Sequence, residues 1–148
     1  MKTLAQNKPV RHNYDILETY EAGLVLTGSE VKAAKSGHIS LKGSFAKFIS
    51  GELFLINAHI GPYKFTSPDK QHDPLRNRKL LLNSHEISAL LGKIKQKNLT
   101  LAALSVYNKK GRIKVALGLA RGRKKFDKRE VIKKRDIDRE IKRSIKYI

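Results

Sequence analysis

The firmest pattern in the chain lies over residues 112–120, where Ile113, Val115, Leu117 and Leu119 take every second place and Arg112, Lys114, Ala116 and Gly118 the places between. A period of two is that of a strand with one buried face. Residues 99–107 precede it across Asn108-Lys109-Lys110-Gly111, so the two segments read as a hairpin with a four-residue loop. Residues 44–60, SFAKFISGELFLINAHI, hold a second hairpin turning at Ser50-Gly51. Residues 14–19 and 23–27 are further β-prone segments.

One stretch has the helical period instead. Ile87, Leu90, Leu91 and Ile94 fall at i, i+3, i+4 and i+7, and Asn83 stands three residues before Glu86 in a capping-box arrangement. A helix over 84–97 follows, with one apolar face. Five or six short strands and a helix covering an open end predict a mainly β fold: an oligonucleotide-binding (OB-like) closed barrel with one or two covering helices. A sandwich of the same strands is the alternative, because spacing alone does not show closure. Between hairpin and helix, residues 61–79 carry three of the four prolines and no alternation, which reads as a long loop. Arg76, Arg78 and Lys79 give that loop a positive mouth.

Charge changes the picture more than composition does. With 32 Lys and Arg against 13 Asp and Glu, the net charge of +19 calls for a polyanion, nucleic acid before an anionic membrane surface. Residues 121–148 hold 13 Lys and Arg against 5 Asp and Glu, a net +8, which leaves +11 for residues 1–120. The division predicts an RNA-binding barrel over 1–120 and a basic tail over 121–148. In the tail Arg135, Arg139 and Arg143 share one helical face, while Ile137, Ile141, Ile145 and Ile148 form a narrow apolar stripe on another. Alone in water such a segment is at best partly helical, so the expectation is a tail disordered in the free protein that folds on a partner. A solvated tail without fixed conformation is the plainer alternative.

Other classes are disfavoured. The absence of cysteine removes disulfide frameworks, thiol nucleophiles and zinc fingers. The five histidines have no i, i+4 pair, and no phosphate-binding or dinucleotide glycine pattern occurs. No catalytic residue, metal or cofactor is therefore expected. No apolar run approaches the roughly 20 residues of a membrane span, and MKTLAQNKPV is unlike a signal peptide, so a cytoplasmic protein is expected. Tyr63-Lys64-Phe65 and Phe45-Ala46-Lys47-Phe48 set aromatics beside lysines, as base stacking requires, although Phe45 or Phe48 also suits the core.

Several stretches together resemble the SsrA-binding protein (small protein B) family. They are Asn7-Lys8, Arg11 to Tyr14, YEAGLVLTGSEVK over 20–32, His72-Asp73-Pro74, RNRKLLL over 76–82, Gly118 to Ala120 and RGRKKFDKR over 121–129. The resemblance runs through nearly the whole chain. Ala33, Gly43 and Pro9 depart from the usual pattern.

The resemblance implies a barrel that grips the transfer-RNA-like end of transfer-messenger RNA and delivers it to stalled ribosomes for trans-translation, with elongation factor Tu joining through the RNA. The tail would occupy the decoding centre, beside small-subunit ribosomal RNA, and the empty message channel, helical on the ribosome. It implies a monomer on its RNA and no bond made or broken by the protein. It places RNA contacts on Glu30, Leu81 and Asn83, with Lys32, Arg76, Arg78 and Lys79 as the cations of that face. For Glu30 the competing reading is a buried ion pair with Lys32 or Arg11; for Asn83 it is the helix cap derived above. In the tail the resemblance makes Gly122 a hinge suited to positive φ. Phe126 would be a stacking residue, Asp127 a cap or orienting group, and Arg123, Lys124, Lys125, Lys128 and Arg129 would meet ribosomal phosphates. A general ribosomal or ribosome-assembly protein that binds ribosomal RNA is the alternative with the same charge and tail.

Overall fold

The computed structural model describes residues 1–96 and 99–122. In chain order the elements are β1 (Lys2–Gln6), α1 (Lys8–Asn13), β2 (Tyr14–Leu24), α2 (Gly28–Lys35), β3 (Ile39–Ser40), β4 (Phe45–Ile49), β5 (Glu52–Ile56), β6 (His59–Ile60), β7 (Arg78–Leu81), α3 (Ser84–Ile94), β8 (Leu99–Lys109) and β9 (Arg112–Gly122). The strands pair antiparallel in the order β8-β4-β5-β7-β2-β9, and β9 pairs back onto β8. The sheet therefore closes on itself, which settles the barrel against the sandwich. β1 adds to the outside of the ring by pairing with the later half of β8, whose earlier half pairs with β4.

Closure depends on local irregularities in the long strands. Register shifts fall between Ile16 and Glu18 in β2 and between Ala103 and Ser105 in β8, and such bulges bend a strand enough to curl the sheet. The β4–β5 hairpin turns at Ser50-Gly51 as expected, while the β8–β9 hairpin is tighter than its loop suggested. β8 and β9 pair up to Lys109 and Arg112, so the turn is Lys110-Gly111 alone, two residues in place of the expected four. Lys110 and Gly111 both have positive φ (51° and 81°), as do Ser50 and Gly51 (52° and 80°). Two positive φ values make the turn whose twist matches that of paired strands.

The alternating residues of β9 point inward as expected: Ile113, Val115, Leu117 and Leu119 are all buried, packed with Leu53, Leu55 and Leu80 from across the barrel. The other face of β9 is covered too. A smaller apolar cluster of Val10, Ala102 and Leu104, with Tyr14 and Ile16 against it, sits between α1 and the strands. Gly118 lies under this layer, where an added Cβ would come within 3.0 Å of a Leu104 methyl and 3.2 Å of an Ile16 methyl. Asn7, also buried, donates from Nδ2 to the carbonyls of Leu41 and Ala103 and so ties the N-terminal segment to the barrel.

The helix α3 starts where the cap predicts, Asn83 Oδ1 accepting from the Glu86 amide at 2.9 Å, and it buries Leu90 while Ile94 packs against the core. It ends at Ile94, short of the expected Lys97, which lies outside the described residues together with Asn98. Residues 25–27 are not strand; β2 ends at Leu24 and α2 begins at Gly28. The long 61–79 segment includes one 3-10 turn, Pro68–Lys70, and gives its last two residues to β7. Among the described residues no helix is long and apolar enough to cross a membrane.

Candidate nucleic-acid interface

The helix α2 begins with a full capping box. Thr27 Oγ1 accepts from the Glu30 amide, and the Thr27 amide donates to Glu30 Oε1 at 2.8 Å. This fixes Glu30 at the start of the helix, facing inward and fully buried. Arg76 meets its carboxylate in a fork, Nη2 to Oε1 at 2.6 Å and Nε to Oε2 at 3.2 Å. Arg78, equally buried, donates from Nε to Oε2 at 2.6 Å. Nη1 of Arg78 donates to the carbonyls of Ala58 and Pro74, and Nη2 to that of Asp73 while also pairing with Glu30. Every N–H of that guanidinium is engaged, and the junction joins α2, the β5–β6 turn, the long loop and β7.

Burial opposes the Glu30 charge, but the hydrogen bonds from Arg76, from the Thr27 amide and from Arg78 outweigh it and hold the carboxyl at about 2. Burial likewise pulls Arg78 below its ordinary value, with Glu30 opposing the shift. The partners expected for a buried Glu30, Lys32 or Arg11, are replaced by Arg76 and Arg78. The structure thus departs from the expected RNA-facing set at two positions, since neither Glu30 nor Arg78 reaches the surface. Arg76 does reach it, with its side chain 38% exposed.

On the outside of the same corner a groove of about 280 Å³ runs between β2, α2 and the β8–β9 turn, lined by Leu24, Leu26, Val31, Leu81, Arg112 and Lys114. Leu81 stands over it half exposed, directly across the ladder from Gly23. The missing side chain at Gly23 is what makes room: a Cβ there would lie 3.4 Å from that of Leu81. Asn83, two residues on, uses Oδ1 for the cap, and its Nδ2 has no partner among the described residues. Lys79 is exposed and pairs loosely with Glu52 at 3.4 Å. Lys32 projects from α2 on the far side of Val31, its Nζ 5.8 Å from the centre of the Tyr63 ring. A hydrophobic floor with arginine and lysine at its rim suits a sugar–phosphate chain with a base or ribose laid against Leu81.

A second carboxylate, which sequence reasoning passed over, stands two residues before the groove-lining Gly23 on β2, within reach of the charge of the groove-lining Lys114. Glu21 is exposed on β2 and accepts from the Tyr107 hydroxyl, with the Lys109 ammonium at 3.4 Å and the Lys114 charge close by. The Tyr107 hydrogen bond, more than the lysines, holds Glu21 below the usual carboxylate range. Burial and the adjoining carboxylate push Tyr107 well up, so its hydroxyl stays a donor. Glu21 lies in the same YEAGLVLTGSEVK stretch as Glu30, and its alternation with the buried Ala22 on β2 is the signal that could have shown its exposure. Among the described residues no three His, Asp or Glu side chains come together as a metal site.

Gly122 is extended at the end of β9, paired with Tyr14, and not at positive φ. The hinge expected there is thus a strand residue whose added Cβ would meet the Tyr14 ring at 3.5 Å. Arg123, Lys124, Lys125, Phe126, Asp127, Lys128, Arg129, Arg135, Arg139 and Arg143 lie outside the described residues.

Comparison with known proteins bears on the whole chain. The family described as SmpB protein matches residues 4–147. This chain belongs to the SmpB family. An SsrA-binding protein of Thermosynechococcus vestitus is 51% identical over 146 residues, 99% of this chain and 96% of that one. The SsrA-binding protein of Geobacillus thermodenitrificans is 52% identical over 145 residues, covering 98% and 93%. A solved chain reported under tmRNA–SmpB and its journey to the center of the bacterial ribosome is 50% identical, with a TM-score of 0.68 over 92% of this chain and 95% of its own. Kinship with the SmpB family thus takes in residues 123–147 as well as the barrel.

Proposed function

We infer that this chain is an RNA-binding protein that holds transfer-messenger RNA and acts with it on the bacterial ribosome, in trans-translation and the rescue of stalled ribosomes. The observation that carries this reading is the relation at about half identity to SsrA-binding proteins over nearly the full length. The chain works by binding and is not an enzyme, and action on the ribosome is consistent with work in the cytoplasm. The barrel offers the Leu81 groove, with Arg112 and Lys114 in its lining and with Asn83, Lys79 and the exposed edge of Arg76 as further polar contacts. Glu21 accepts hydrogen bonds from 2′-hydroxyl or base amino groups beside the groove. Glu30 and Arg78 serve the same face from inside by fixing α2 and Arg76. Residues 123–148 meet the ribosome, with Phe126 stacking and Lys128 and Arg129 at phosphates.

Removing residues 123–148, which spares the β9 pairing of Gly122 with Tyr14, tests the division of labour. Affinity for transfer-messenger RNA stays close to that of the full chain, while tagging of polypeptides on truncated messages is abolished. A truncated chain that loses its RNA contradicts the division. Sequencing RNA crosslinked to the chain in cells yields transfer-messenger RNA as the dominant species; ribosomal RNA alone would favour a general ribosomal protein. With about six phosphates neutralised, the logarithm of affinity falls against that of salt with a slope near −4 to −5.

A further inference from the structure

The loop after β6 presents an aromatic surface that the groove does not use. Phe65 is 74% exposed, far more than a ring left to packing alone would be. It packs edge-on against Tyr63, ring centres 5.4 Å apart and planes at 68°, and Tyr63 in turn rests on the core. Two ammonium groups flank the pair: Lys64 Nζ lies 4.8 Å from the centre of Phe65 and Lys32 Nζ 5.8 Å from that of Tyr63. Neither lysine has a carboxylate partner among the described ion pairs.

This loop is held in place by its own side chains. Gln71 donates from Nε2 to the carbonyls of Tyr63 and Thr66, at 2.6 and 3.0 Å, and accepts from the Tyr63 amide. His72 bridges its far end, donating from Nε2 to the Ile60 carbonyl and sharing a 2.7 Å hydrogen bond at Nδ1 with Ser29 of α2. An ordered loop that keeps a phenyl ring in water, with one ammonium over it and a second over the neighbouring Tyr63 ring, forgoes apolar burial. A planar anionic partner would recover it, stacking on the ring while the ammonium groups take up its charge.

We propose that Phe65, supported by Tyr63 and flanked by Lys32 and Lys64, stacks an unpaired base of the RNA that occupies the Leu81 groove. The helix α2 links the two places: Val31 lines the groove and the adjoining Lys32 reaches Tyr63. The platform therefore extends the groove around that helix to one more nucleotide, whose phosphate lies between the two lysines. The occupant is a single-stranded or bulged nucleotide, since a base within a duplex presents no free face. This rests on the RNA-binding reading above.

The chain has no tryptophan, so Phe65→Trp introduces a sole indole reporter. In that full-length variant, saturation with transfer-messenger RNA, or with an oligouridylate of about eight nucleotides, quenches the indole emission, and a blunt RNA duplex of equal charge does not. Phe65→Ala and Phe65→Leu each weaken binding roughly tenfold, whereas Phe65→Trp keeps it. Lys64→Met lowers the salt slope by about one. The exposure of Phe65 leaves folding intact in every variant, as circular dichroism checks. Should Phe65→Ala and Phe65→Leu bind transfer-messenger RNA as the parent does, with the indole emission of Phe65→Trp unmoved at saturation, the stacking site is refuted, and the patch belongs to a protein partner. A parent chain that fails to bind the RNA refutes the RNA-binding reading itself.

Discussion

Glu30 and Glu21 stand nine residues apart in one stretch of sequence and occupy opposite environments. Glu30 is sealed behind α2 with two arginines and a backbone amide on its oxygens, while Glu21 lies open on β2 beside Tyr107 and Lys109. Both are held below the ordinary carboxylate range, and hydrogen bonds do the lowering in each case. The consequences differ because the solvent differs. A buried ion pair with all its donors met fixes the fold and has nothing left to offer a ligand, whereas an exposed carboxylate in water adds little to stability and keeps lone pairs for a partner. A negative charge in a protein of net +19 is thus informative only once its exposure is known.

The largest effect belongs to the buried member. Glu30→Ala leaves the Arg78 guanidinium uncompensated inside the barrel, and Arg78→Ala strips the Ala58, Pro74 and Asp73 carbonyls of their donor; for the first we expect a loss of about 3–5 kcal/mol. Thermal unfolding shows it as a fall in Tm of roughly 10 °C or more. Loss of stability no greater than that of Glu21→Gln would erase the distinction.

The same pair sets a pH dependence. Glu30 titrates at about 2 in the folded chain, below the 4.5 of a free glutamate, so its contribution is full above pH 4.5 and disappears as pH falls towards 2. On the order of 3 kcal/mol is lost across that window. Urea unfolding at a series of pH values measures the slope, and Glu30→Gln flattens it; an unchanged slope in that variant would assign it to other carboxylates.

Asn83 sharpens the comparison because it belongs to both regions. Asn83→Ala costs about 1 kcal/mol by removing the α3 cap, and Asn83→Asp retains the cap. If Nδ2 meets RNA, both substitutions weaken binding and the alanine variant alone loses stability. Equal affinity for Asn83→Asp and the parent would make the residue a cap and nothing more. The smallest stability effect is expected at Leu81, half exposed, where Leu81→Ala changes unfolding free energy by less than about 0.5 kcal/mol.

Much of the barrel was legible from local pattern. β9 announced itself by period two and α3 by period 3.6 with its cap, and both hairpins carried a glycine where the turn needs positive φ. The helix α2 was missed although Thr27-x-x-Glu30 is a capping box, because the apolar positions around it, Val25, Leu26 and Val31, look like strand until the cap is noticed. β1 and α1 are short, and what fixes them is distant: Asn7 bonded to Leu41 and Ala103. Closure was invisible for the same reason, since it rests on the pairing of β9 with both β2 and β8.

The candidate site was legible in part. Leu81 and Asn83 came from motif resemblance and stand at the surface beside the groove. Arg76 and Arg78, two residues apart on an extended segment, read alike as a positive mouth. Yet Arg78 points into the barrel with all its donors used, and Arg76 lies across Glu30 with its edge in solvent. Charge counting has no means to separate them, because their difference is set by which carbonyls the loop and the β5–β6 turn bring to Arg78.

The proposed RNA contacts are the exposed Glu21 and Leu81, and not the buried junction. The most direct test is the affinity of the full-length Glu21→Gln/Leu81→Ala double variant for transfer-messenger RNA at fixed salt, measured beside its melting temperature. Binding weakened at least tenfold with melting unchanged is the expected result. Parental affinity in that variant would contradict it.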